Sequence, residues 1–187
     1  MNTKSILPLA LGTLIGFPVL AYLIHFFLFD THFLTIFVSK TNLFTELIIG
    51  LGAGLLFGYV AWLVIAMKFM HPVQDKYKAL ISSFELDIST IFFVSFCAGF
   101  GEEVLFRGVL QPKLGIWLTA VIFVGIHGYL NPNNWRISIY GIYLTIVIAL
   151  TGYLSRHFGL TTAIITHMII DVILFYKLAK TNKSTEH

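Results

Sequence analysis

Hydrophobic positions fall into six runs along the chain, at residues 6–29, 44–67, 88–110, 115–130, 137–154 and 160–178, separated by short polar connections. About 20 apolar residues in a helix cross the ~30 Å hydrocarbon layer of a bilayer. The pattern therefore predicts an all-α fold, a polytopic membrane helical bundle of about six transmembrane helices. The fourth run is short and is expected either to tilt or to enter the membrane without fully crossing it. Pro112 and Gly115 part the third run from the fourth, Asn131-Pro132-Asn133-Asn134 makes a strong turn after the fourth, and Arg156–Gly159 parts the last two. No soluble domain, internal repeat or low-complexity tract is visible. The expected organisation is one integral-membrane domain, 1–187, with a motif-bearing core at 88–178 and a polar tail at 180–187.

Two runs have particular features. Lys4 followed by Ile6–Phe29 looks superficially like a signal peptide. That run is 24 residues long, whereas a signal's apolar region has about 7–15, and no small-residue cleavage site follows. A retained helix is expected. The second run carries Gly50, Gly54 and Gly58 at a spacing of four, which puts three glycines on one helix face and permits close packing. Packing within the chain is the expected use of that face, with a homodimer interface as the alternative.

Composition supports a membrane location. Of the 187 residues, 57% are hydrophobic and 11% charged, beyond the 45–50% apolar content typical of soluble domains. The net charge of +3 is too small to suggest nucleic acid. The lysines lie mostly in connections and at the tail, where they suit anionic headgroups and set orientation. With the N-terminus inside, the inner regions hold Lys4, Lys68, Lys76, Lys78, Arg136, Lys177, Lys180 and Lys183; the outer regions hold Lys40, Arg107, Lys113 and Arg156. Eight against four favours both termini on the cytoplasmic side. The single Cys97 lies in an apolar run and reads as packing.

Polar residues inside the apolar runs are the candidates for chemistry, because charge in the bilayer is expensive and usually functional. The third run contains Glu102, Glu103 and Arg107, the fourth His127, the sixth His167 and Asp171. At about 1.5 Å rise per residue these positions come to a similar depth in a six-helix bundle. Neighbouring residues on a helix point about 100° apart, so Glu102 and Glu103 cannot aim equally at one point. Glu103 is four residues before Arg107 and can pair with it, which leaves Glu102 free for substrate or water. His167 and Asp171 share a face, so Asp171 can orient the His167 ring; Phe123 and His127 share another, so Phe123 can wall the pocket. His25, His32, His71, His157 and His187 fall outside this layer and read as interfacial or loop residues. Glu46 reads as interfacial, with a substrate access path as the less favoured role.

Three motifs occur in order: Glu102-Glu103-Val-Leu-Phe-Arg107 (E-E-x-x-x-R), Phe123-Val-Gly-Ile-His127 (F-x-x-x-H) and His167-Met-Ile-Ile-Asp171 (H-x-x-x-D). On successive membrane helices they resemble the CAAX protease and bacteriocin-processing (CPBP) family of intramembrane proteases, over about residues 88–178. The resemblance implies hydrolysis of a peptide bond in a membrane-embedded or membrane-anchored protein or peptide substrate, in a cavity between helices 3, 4 and 6. It implies that Glu102 activates water with His127 beside it. His167 and Asp171 would bind the developing oxyanion or orient the water, and Glu103 and Arg107 would hold the helix and tune Glu102. It also implies a prokaryotic plasma-membrane protein. Two forms of the site stay open: Glu102, His127 and His167 as ligands of Zn²⁺ with an open water position, or the same groups working without metal. Metal-free chemistry is the expectation, since only three good ligands converge. The alternative function is a non-catalytic membrane immunity or scaffold protein of the same fold. A small transporter using these residues as a proton relay is less favoured, because no inverted repeat is visible.

Overall fold

A computed structural model describes residues 5–84 and 86–183. Lys4, His187 and the last part of the expected tail, 184–187, lie outside the described residues. The helices are α1 (Leu7–Leu28), α2 (Leu43–Ile65), α3 (His71–Ser82), α4 (Ile88–Leu105), α5 (Gln111–Leu114), α6 (Ile116–Ile126), α7 (Trp135–Phe158) and α8 (Leu160–Lys183). A π-helical turn, Phe106–Leu110, joins α4 to α5, so that 88–114 is one continuous apolar helix. Among the described residues five helices are long and apolar enough to cross a membrane, and the shorter apolar α6 makes a sixth member of the bundle. With 11 residues, α6 extends only about 17 Å and stops short of a full crossing.

Helix starts follow local chemistry. The side chains of Asn42, Asp87 and Asn134 accept hydrogen bonds from the backbone N–H groups of Thr45, Thr90 and Ile137, capping α2, α4 and α7. Thr90's hydroxyl and N–H hold the Asp87 carboxyl below its ordinary range. Between the caps the helices are apolar on most sides. In α1 only Ala10, Ala21 and His25 are buried, and its exposed Leu9, Ile15, Val19, Phe26 and Phe27 suit a lipid solvent. By contrast α3 is amphipathic and carries Lys76 and Lys78, while Val73, Gln74 and Ile81 point inward.

Two parallel helix pairs position the site. In the first, Gly50, Gly54 and Gly58 of α2 face Ile165, Ile169 and Ile173 of α8, so closely that a Cβ at Gly54 would stand 2.7 Å from the Ile169 Cβ. The glycine face is thus taken up within the chain, and the homodimer alternative loses its interface. In the second, Arg107 bonds to the Ile148 carbonyl and Gln111 to the Gly152 carbonyl, both one turn apart on α7. Between these pairs lies the main core, with Val104, Phe106, Val109, Phe123, Val124, Ile148 and Ile164 buried together.

Two residues depart from the interfacial expectation. Glu46 is fully buried, and its carboxylate lies against Gly159, just before α8. A carboxylate there is favoured by the partial positive charge of the α8 N-terminus, which the sequence spacing does not reveal. His25 is also buried, stacked on Phe29 with ring centroids 4.7 Å apart.

Candidate active site

Glu102 and Glu103 occupy the last turn of α4, and Arg107 lies in the π turn that follows. Such turns often occur at functional sites. The Arg107 Nε stands 3.0 Å from Glu103 Oε2, an ion pair outside hydrogen-bond angles, and both side chains are buried. The other Glu103 oxygen, Oε1, accepts a 2.8 Å hydrogen bond from His167 Nδ1 of α8. Across the ring, His167 Nε2 lies 3.6 Å from Asp171 Oδ2, one turn further along α8.

Glu102 points elsewhere. Its Oε2 lies 3.5 Å from His127 Nε2. His127 caps the C-terminal end of α6, and its Nδ1 donates to the Phe123 carbonyl at 2.6 Å. The chain then leaves the helix through Gly128, whose φ of +76° only glycine adopts at low cost. Carbonyl and carboxylate oxygens only accept, so both histidines carry hydrogen on Nδ1. Both Nε2 atoms are therefore directed at carboxylates, Glu102 and Asp171.

Phe123 organises the cluster. Its ring stacks on His127 at 4.5 Å, meets His167 edge-on at 5.8 Å and Phe106 at 4.8 Å, and lies 5.2 Å from the Arg107 guanidinium carbon. Exposure is graded. The side chains of His127 and Asp171 are 32% and 24% exposed, those of Glu102 and His167 both 11%, and those of Glu103 and Arg107 at most 1%. The first four are accessible to differing degrees, and the last two lie behind them.

All six candidate residues therefore lie in one connected cluster on α4, its π turn, α6 and α8. Two features escaped the sequence reading. One is the Glu103–His167 bond, which joins residues 64 positions apart and leaves no trace in local spacing. The other is an aromatic rim. The Tyr129 ring lies 6.4 Å from His127 and continues to Tyr77 and Tyr140; only the position of Tyr129 two residues after His127 hinted at it.

Among the described residues no three His, Cys, Asp or Glu side chains are arranged to hold an ion. Glu103 is taken by Arg107 and His167, and the Nε2 atoms of the two histidines face separate carboxylates. Glu102, His127 and His167 are thus not arranged as the three ligands of a Zn²⁺ ion in this structure.

Carboxylates and imidazoles gathered inside a bundle of apolar helices are groups able to exchange protons. Residues 84–173, which include all six candidates, are similar to the type II CAAX prenyl endopeptidase Rce1-like family. The uncharacterized protein YpbD of Bacillus subtilis (strain 168) is 32% identical over 105 residues, covering 54% of this chain and 53% of that protein. The chain spans about half the length of that curated relative. No solved structure matches.

Proposed function

We propose that the protein is an intramembrane endopeptidase in which Glu102 activates water. The observation that carries this reading is the pairing of Glu102 with His127 at 3.5 Å beside that of His167 with Asp171 at 3.6 Å, at the accessible edge of an otherwise apolar bundle. Glu102 takes a proton from water as the water oxygen bonds to the scissile carbonyl carbon. Protonated Nε2 groups of His127 and His167 donate to the oxyanion as it forms, and Asp171 orients the His167 ring. The C–N bond then breaks, and Glu102 returns its proton to the leaving amine. A positioned general base contributes about 10²–10⁴-fold, and a water-excluded site strengthens the oxyanion contacts. Glu103 and Arg107 are positioning residues: they fix α4 against α7 and hold the His167 ring.

The substrate class is a membrane-embedded or membrane-anchored protein or peptide. The lysine and arginine distribution supports cytoplasmic termini, and the likeness to a Bacillus protein supports a prokaryotic plasma membrane. A scaffold or immunity protein has no use for a partly exposed Glu102–His127 pair in lipid, so that alternative is not favoured. Quantitative proteomics of membrane-protein termini tests the reading in cells carrying wild type, Glu102→Gln or no protein. A terminus found only with wild type names the substrate; no wild-type-dependent terminus in the native host contradicts the activity.

A further inference from the structure

A second cavity lies at the end of the bundle where the α1–α2, α5–α6 and α7–α8 connections meet, which the charge distribution predicts to be the outer end. Its volume is about 530 Å³, and its polar lining includes Lys40, Arg107, Gln111, Ser155 and Arg156. Arg107 lines it, whereas Glu102 and His127 do not. We propose that this cavity binds a phosphate-bearing group.

Three observations carry the proposal. The first is an unspent donor: Arg107 is 4% exposed, its Nε faces Glu103 and its Nη2 bonds to the Ile148 carbonyl, yet its buried Nη1 has no partner among the described residues. A buried guanidinium N–H without an acceptor is costly. The second is charge. Lys40, Arg107 and Arg156 line the cavity and no Asp or Glu does. Lys40 Nζ is held at the rim by the Arg156 carbonyl at 2.8 Å, and neither Lys40 nor Arg156 has a carboxylate partner among the described residues. Glu103 offsets the charge of Arg107 from behind and Glu46 lies against Gly159 outside the lining, so Lys40 and Arg156 are the lining charges left without a carboxylate partner among the described residues.

The third observation is size and character. The cavity is within the range that encloses whole small molecules, far larger than a bare ion needs, and Phe29, Ile36 and Leu160 share its walls with the cations. A phosphate carried on an amphiphile satisfies both surfaces, and basic pockets between membrane helices take lipid headgroups in this way. A free phosphate offers the same oxygens to the same donors, so the two sources are separated by experiment.

The test uses full-length protein purified in a neutral detergent, and its readout, thermal stability, is independent of turnover and thus of the proteolytic reading. The protein is titrated with inorganic phosphate, with dioctanoyl phosphatidylglycerol and with dioctanoylglycerol, which lacks the phosphate. The expected result is a saturable rise in Tm with a phosphate-bearing probe and none with dioctanoylglycerol. Saturation by phosphatidylglycerol alone identifies a lipid headgroup; saturation by inorganic phosphate identifies a soluble source. Lys40→Gln/Arg156→Gln, at two exposed positions, should weaken the midpoint at least about tenfold, as loss of charged hydrogen bonds does. The charge-keeping Lys40→Arg/Arg156→Lys should stay near wild type. The proposal is overturned if neither phosphate probe shifts the wild-type Tm, if dioctanoylglycerol shifts it equally, or if the glutamine variant responds like wild type.

Discussion

Glu103 Oε1 lies 2.8 Å from His167 Nδ1, although the two residues are 64 positions apart and on different helices. Because the other oxygen of the same carboxylate faces Arg107 at 3.0 Å, and Arg107 bonds to the Ile148 carbonyl, one buried carboxylate connects α4, α7 and α8. The bond also fixes the His167 tautomer and turns its Nε2 to the accessible side.

This separates the two histidines experimentally. Both His127→Ala and His167→Ala should lose activity. Only His167→Ala should also lower the Tm markedly, because it strands a buried Glu103 oxygen at a cost of about 1–3 kcal/mol or more. His127 is partly exposed and its main contact is a backbone carbonyl. Thermal unfolding of the two purified variants checks this, and equal losses of Tm contradict it.

Glu103→Ala and Arg107→Ala should each reduce stability as well as activity, since breaking a buried pair from one side costs about 3–5 kcal/mol. The double variant should lose less than the sum of the singles. A double-mutant cycle on unfolding reads the coupling directly; additive losses would mean that the pair does not interact.

Glycine substitutions on α2 should divide by face. A Cβ at Gly54 meets the Ile169 Cβ at 2.7 Å and the Thr166 carbonyl at 2.9 Å, whereas one at Gly52 meets nothing within 4 Å. Gly54→Ala should therefore destabilise by about 1–3 kcal/mol, as overpacking does. Gly52→Ala should be neutral or stabilising by up to about 1 kcal/mol from helix propensity. Loss of Tm in Gly52→Ala but not Gly54→Ala would move the packing face.

Activity should persist in protein stripped by chelators and shown by elemental analysis to hold far less than one metal per chain. Stoichiometric zinc whose removal and return switch activity off and on would instead assign Glu102, His127 and His167 as ligands.

Much of this arrangement was legible because membrane helices announce themselves by length and apolar content, and because charge in lipid is too costly to be incidental. The pairing of Glu103 with Arg107 followed from their spacing on one helix. What the sequence withheld was contact across helices. Glu46 looked interfacial from its place near a helix start, and only the packing of α2 against α8 brings it under Gly159. The third partner of the ion pair, His167, was likewise out of reach of local spacing. The end of α6 at Ile126 was obscured by the apolar Tyr129 and Leu130 beyond the glycine that ends it.

The central claim is that Glu102 is the general base, and one comparison tests it most directly: turnover of a purified membrane substrate by wild type and by Glu102→Gln at matched fold and concentration. The amide keeps the shape and the contact with His127 but cannot take a proton from water. The Tm should be unchanged and the rate lower by about 10²–10⁴-fold. A folded Glu102→Gln protein that cleaves at the wild-type rate would contradict it.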